Sequence, residues 1–152
     1  MKYNVEFMSN ISGEDYQKFI NYIYERSDIF GLVVRTDMDQ NKSVRDFLKK
    51  NKELITAKKM SHEWAGTITF GEKHEVYFFK TNEESREVLN TVNSIYSWRN
   101  PDLPEDLFFY RDGKIYFYST SHEEISGLVI SCEEELEEFA NNFDMHFHVY
   151  SR

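Results

Sequence analysis

Polar and apolar residues alternate through Tyr3-Asn4-Val5-Glu6-Phe7, the period of a strand buried on one face. Tyr16, Phe19, Ile20 and Ile23 then recur at helical spacing, which predicts a helix over residues 13–26. Ser12 is the expected N-cap, with Asp15 as its capping-box partner. Ile29 to Val34 is a short, β-branched apolar run and reads as an interior strand. The basic segment after it reads as a second helix, with Val44, Phe47, Leu48, Leu54 and Ile55 as its apolar stripe.

Trp64 to Phe70 and Glu75 to Lys80 read as the arms of a hairpin turning at Gly71-Glu72-Lys73-His74. Thr81, with Glu84 three residues on, is expected to cap a third helix carrying Val88, Leu89, Val92, Ile95 and Tyr96. The stretch from Ser97 to Asp106 holds both prolines of the chain, which fix φ and push the preceding residue toward extended geometry, so it reads as an ordered loop. Leu107 to Tyr110 and Ile115 to Tyr118 form a second hairpin around Asp112-Gly113, a strong turn signal. Ile125 to Ile130 is a further strand, Glu133 to Asn142 an acidic helix, and Met145, Phe147 and Val149 mark a last strand. The order β-α-β-α-β-β-α-β-β-β-α-β predicts one α+β domain over residues 1–152, with about four helices on a mixed or largely antiparallel sheet.

Composition narrows the class. With 40% hydrophobic and 30% charged residues the chain has the material to fold, and thirteen Phe and ten Tyr put aromatic rings in charge of the core. No apolar run reaches the roughly 18 residues a spanning helix needs, and the opening residues lack a signal-peptide core, so the expected location is the cytoplasm. The net charge is −9, and it is unevenly placed. Residues 1–100 are balanced, whereas residues 101–152 set twelve acids against three bases (Arg111, Lys114, Arg152) and so account for the whole excess. Between Lys42 and Lys59 seven bases face only Asp46 and Glu53. That stretch is either a solvated helix face, set against the acidic third of the same chain, or a partner surface. With a pI near 5.0, a nucleic-acid partner is not expected, because the acidic excess repels phosphate.

Candidate chemistry is sparse. His146 and His148 share one face of the predicted last strand and with His122 are an alternative metal-ligand set; read more simply, they are its exposed side. His62-Glu63 and His122-Glu123-Glu124 juxtapose imidazole and carboxylate, but neighbours on a strand point apart. Cys132 opens the acidic helix, where three glutamates oppose a thiolate, and is expected to be buried. The six glycines, at 13, 31, 66, 71, 113 and 127, build no phosphate loop, and G-x-S-x-G, H-E-x-x-H and paired C-x-x-C motifs are absent. No cofactor is therefore expected and no residue is nominated as catalytic. A metal-free acid–base enzyme or a small-molecule or metal binder built on histidines is the alternative, since such sites leave little trace in sequence.

The segment Trp98 to Asp106 joins an aromatic, two prolines and three carboxylates. It reads either as part of a contact surface anchored by Trp98 or as a structural loop with Trp98 tucked inside. The first reading nominates Trp98, Asp102, Glu105 and Asp106 with Glu133, Glu134, Glu137 and Glu138 as a protein-binding surface.

Tyr3-Asn4-Val5-Glu6-Phe7 followed by Ser9-Asn10-Ile11-Ser12-Gly13 resembles the opening of a group of small acidic proteins from spore-forming Bacillota. So does Pro101-Asp102-Leu103-Pro104-Glu105-Asp106-Leu107-Phe108-Phe109, running into Asp112-Gly113 and Ser121-His122-Glu123. Some members carry the label stage III sporulation protein AH, so the resemblance implies a sporulation-associated regulatory role. The membrane-anchored channel role of the protein properly so named is not expected here, because this chain has no spanning segment. The residues themselves favour a soluble, non-enzymatic protein-binding module with an acidic surface that steers a basic partner, on the pattern of an immunity protein or inhibitor.

Overall fold

Among the described residues, 2–151 of the computed structural model, the chain forms ten strands and four α-helices. In order these are β1 (Tyr3–Phe7), α1 (Glu14–Glu25), β2 (Ile29–Val34), α2 (Lys42–Lys50), β3 (Ile55–Ser61), β4 (Glu63–Trp64), β5 (Thr67–Ile68), β6 (His74–Lys80), α3 (Glu83–Leu89), β7 (Glu105–Arg111), β8 (Lys114–Thr120), β9 (Ile125–Ile130), α4 (Glu133–Asn142) and β10 (Phe147–Ser151). Eight strands make one sheet in the order β10-β1-β9-β8-β7-β2-β6-β3, antiparallel throughout, and β4 and β5 pair separately. This is the α+β architecture that the alternation of patterns predicts.

The helices cover one face. The stripe of α1 (Tyr16, Phe19, Ile20, Ile23, Tyr24) is buried against Phe30 of β2, Phe109 of β7 and Phe117 of β8. Phe139 of α4 packs edge-on to Phe7 of β1, its ring 6.0 Å away, and lies 5.5 Å from Phe147 of β10. α1 therefore lies over the middle of the sheet and α4 over its β10 end. A second, smaller core fills part of the other face, where the β4–β5 turn lays Trp64 and Ala65 over Val33, Val76 and Phe108. Phe108 fits there because Gly31 has no side chain; a Cβ at 31 would stand 2.0 Å from the Phe108 ring.

Four local expectations are corrected. Gly13, not Ser12, stands at the N-cap of α1 with no side-chain cap; Ser12 is held in a bridge to Ser94 instead. The box at α3 starts one residue late. Asn82 accepts from the Ser85 amide at 2.9 Å and donates its own amide to the Ser85 hydroxyl at 3.1 Å, while Thr81 donates to the Ser27 carbonyl. The basic segment is half helix, half strand: α2 ends at Lys50, with Asn51 as its C-cap, and Ile55 onward pairs with β6 as the sheet's edge. β6 thus finds its partners in β2 and β3, and Trp64 to Phe70 does not form its hairpin arm. The turn at Asp112-Gly113 forms as predicted, with φ of +53° and +75°.

Candidate functional site

Two candidate surfaces emerge from this fold. One is the acidic helix α4, which begins at Cys132 as its N-cap. Its first turn gathers Glu133, Glu134 and Glu135, where the helix dipole favours negative charge. Glu135 is drawn into a two-pronged ion pair with Arg111 at 2.9 and 3.2 Å, and Glu138 pairs with Arg26 at 2.8 Å. Both therefore face α1 and the β7–β8 hairpin. Glu133, Glu134 and Glu137 are exposed and carry no ion pair among the described residues.

The seven bases of residues 42–59 lie elsewhere, on α2, the turn after it and β3, and all are exposed. Among the described residues only Lys58 is paired, with Glu75 at 3.3 Å. β3 and β10 are opposite edges of the sheet, seven strand steps apart or on the order of 30 Å. Salt screens exposed charges over about 8 Å. Lys58 and Lys59 on β3 therefore lie beyond screening range of the β10 end that α4 covers, while the start of α2 meets the acidic third at Asp102, which accepts from the Asn41 side chain and whose carbonyl accepts from Ser43.

The other candidate is a knot of buried polar groups where β7 begins. Glu105 and Asp106 are 2% and 1% exposed. Glu105 Oε1 accepts from the Asn100 amide at 3.2 Å and lies 3.0 Å from His122 Nε2. Asp106, bent to φ +59°, accepts from the Ser121 amide and the Trp64 indole, each at 2.9 Å. Burial, reinforced by the neighbouring Asp106 charge, pushes the Glu105 carboxyl up to about 7. Burial also raises Asp106, opposed by its bonds to Ser121 and Trp64. Asn100, whose bond to Pro101 is cis, takes the Arg35 amide and the Gln40 side chain on its Oδ1. Arg35 itself clasps Asp37 at 2.7 and 3.0 Å. His74, 1% exposed, is pushed toward the neutral form by burial and by Arg35, and its Nδ1 accepts the Thr36 amide at 3.0 Å.

This geometry breaks up the nominated surface. Trp98 is fully buried; its indole donates to the Tyr16 hydroxyl at 3.1 Å and its ring meets Phe47 at 5.7 Å. It is a core residue, not a contact anchor. Glu105 and Asp106 are likewise inside, because their oxygens satisfy donors that the loop cannot bond otherwise. Asp102 is exposed but belongs to the start of α2, accepting from the Asn41 side chain while its carbonyl accepts from Ser43. Glu133, Glu134, Glu137 and Glu138 remain on the surface.

The histidines do not converge. His122 borders a cavity of about 480 Å³ with Tyr96, Arg99 and Pro101, whereas His146 borders a different one beside Asn10 and Asp15. His146 and His148 are neighbours, their rings 5.7 Å apart, yet among the described residues no group of three or more His, Cys, Asp or Glu is arranged to hold a metal ion. His62 is exposed. Cys132 is exposed too, against the expectation of burial, because the N-cap position lies outside the helix's packed stripe. Asn100, His74 and Arg35 carry no signal in the sequence; only the fold gathers them. The chain matches no protein-family model, no curated protein and no solved structure.

Proposed function

We propose that the protein is a binding module that engages a basic protein through the outer face of α4. The observation that carries this reading is the exposed acidic face of α4 over the β10 end of the sheet, where Glu133, Glu134 and Glu137 carry no ion pair among the described residues. Such a field orients a charged partner during diffusional encounter and raises the association rate more than the final affinity. An immunity or inhibitor role is the concrete form of the proposal. The test is capture of partners at low and moderate salt by the native chain and by the Glu133→Lys, Glu134→Lys, Glu137→Lys variant. A stoichiometric basic partner that is salt-sensitive and lost in the variant is expected; a partner retained by the variant refutes the reading.

A second reading rests on His122. Its Nε2 lies 3.0 Å from the buried Glu105 carboxyl while its ring borders the 480 Å³ cavity, placing an imidazole beside a carboxyl as proton-transfer sites do. It predicts that soaking or titration with a small-molecule library shifts the His122 ring resonances. Ligands that leave those resonances unmoved while binding elsewhere count against it.

A further inference from the structure

We infer that the free edge of β10 is the docking strand for an extended basic segment of the partner, which pairs with it as a ninth strand. This rests on the proposed acidic-face reading and assigns its contact geometry. The two edges of the sheet are built differently. β3 carries Lys58 and Lys59 and breaks register between Ile55 and Ala57, both devices that discourage pairing with another chain. β10 has neither: it runs in unbroken register with β1 over all five residues, without Lys, Pro or bulge, and leaves Val149 43% and Tyr150 52% exposed.

The hydrogen-bond phase of β10 follows from one contact. Met8 donates its amide to the His146 carbonyl at 3.1 Å, so the register that pairs Glu6 with His148 and Asn4 with Tyr150 turns those backbones toward β1. The amides and carbonyls of Phe147, Val149 and Ser151 therefore point outward, where the sheet has no further strand among the described residues.

Charge identifies the occupant. Helical geometry sets Glu133 and Glu137 one turn apart on the flank of α4 opposite the one that Glu135 and Glu138 present to Arg111 and Arg26. Since α1 covers the middle of the sheet, that opposite flank is the one toward the β10 edge. A strand added beside β10 lies about 4.8 Å further out and projects alternate side chains to the helix side. Lysines or arginines at those alternate positions reach Glu133 and Glu137, while the backbone completes the ladder. An acidic strand or a second copy of the acidic α4 end meets repulsion at the same place.

The probe is an alternating Lys-Val octapeptide, labelled for fluorescence anisotropy, with a Glu-Val octapeptide and a backbone N-methylated Lys-Val octapeptide as comparators. The native chain is expected to bind Lys-Val saturably and at least about tenfold more tightly than either comparator. Val149→Pro deletes one outward amide while leaving the β1 ladder intact, and it is expected to weaken binding about tenfold with circular dichroism unchanged. Glu133→Lys with Glu137→Lys is expected to weaken it as much and to flatten its salt dependence. Equal binding of the N-methylated peptide to the native chain, a readout free of any folding defect, overturns the inference, as does no binding of Lys-Val. Loss with the glutamate variant but not with Val149→Pro overturns the edge while leaving the acidic face standing. A concentration-dependent dimer that Val149→Pro abolishes makes the occupant a second copy and overturns the basic partner.

Discussion

Replacing Glu105 with Gln removes a buried carboxylate whose ionisation falls near neutrality. Burial first, and Asp106 second, move its pKa from 4.5 to about 7. The displacement corresponds to about 3 kcal/mol. Its sign follows from proton counting. Between the two values the folded chain holds a proton that the unfolded chain has released, so stability contributed at low pH is lost as pH rises through 7. Gln keeps an oxygen to accept the Asn100 amide but has no charge to bury. Glu105→Gln is therefore expected to match the native chain near pH 4.5 and to exceed it in stability by up to about 3 kcal/mol at pH 8. Urea unfolding followed by tryptophan fluorescence across pH 5 to 8 measures the difference, and taking it between two variants cancels the titrating groups that do not interact with Glu105. A gap that fails to widen with pH, or a variant less stable at pH 8, refutes the argument.

Trp98→Ala leaves a large hole beside Phe47 and strips the Tyr16 hydroxyl of a donor, so a loss of about 4 kcal/mol is expected as a lowered melting temperature; a shift of only a degree or two contradicts its place in the core. Gly31→Ala drives a methyl to 2.0 Å from the Phe108 ring and is expected to cost about 3 kcal/mol in urea unfolding, whereas Gly71→Ala, open but at φ +95°, is expected to cost about 1 kcal/mol. Cys132 is exposed and is expected to react with a thiol reagent in the native chain at a rate close to that in urea; native protection would show that the N-cap is covered.

Local pattern carried far in this chain. The helical spacing of Tyr16 to Ile23, the alternation of Tyr3 to Phe7 and the Asp112-Gly113 turn each depend on residues within a few positions of one another, so the α+β class and the order of elements were legible without a structure. Where two local patterns overlap, as from Leu54 to Ser61, the long-range offer of β6 as a partner decided for strand over helix. Caps slipped by one residue for the same reason: bridging to Ser94 occupied Ser12, and the Ser27 carbonyl took the Thr81 hydroxyl.

Which charges exist, and in which stretch they lie, can be read from the chain alone, because composition does not depend on folding. Which of them meet solvent depends on the packing of distant segments, which the fold alone supplies. It put Glu105, Asp106 and Trp98 inside, where neighbours distant along the chain satisfy them, and it left Glu133, Glu134 and Glu137 outside. It also set Lys58 and Lys59 on one edge of the sheet and packed the acidic helix over the other end, since strand order, not chain order, sets distance in a folded protein.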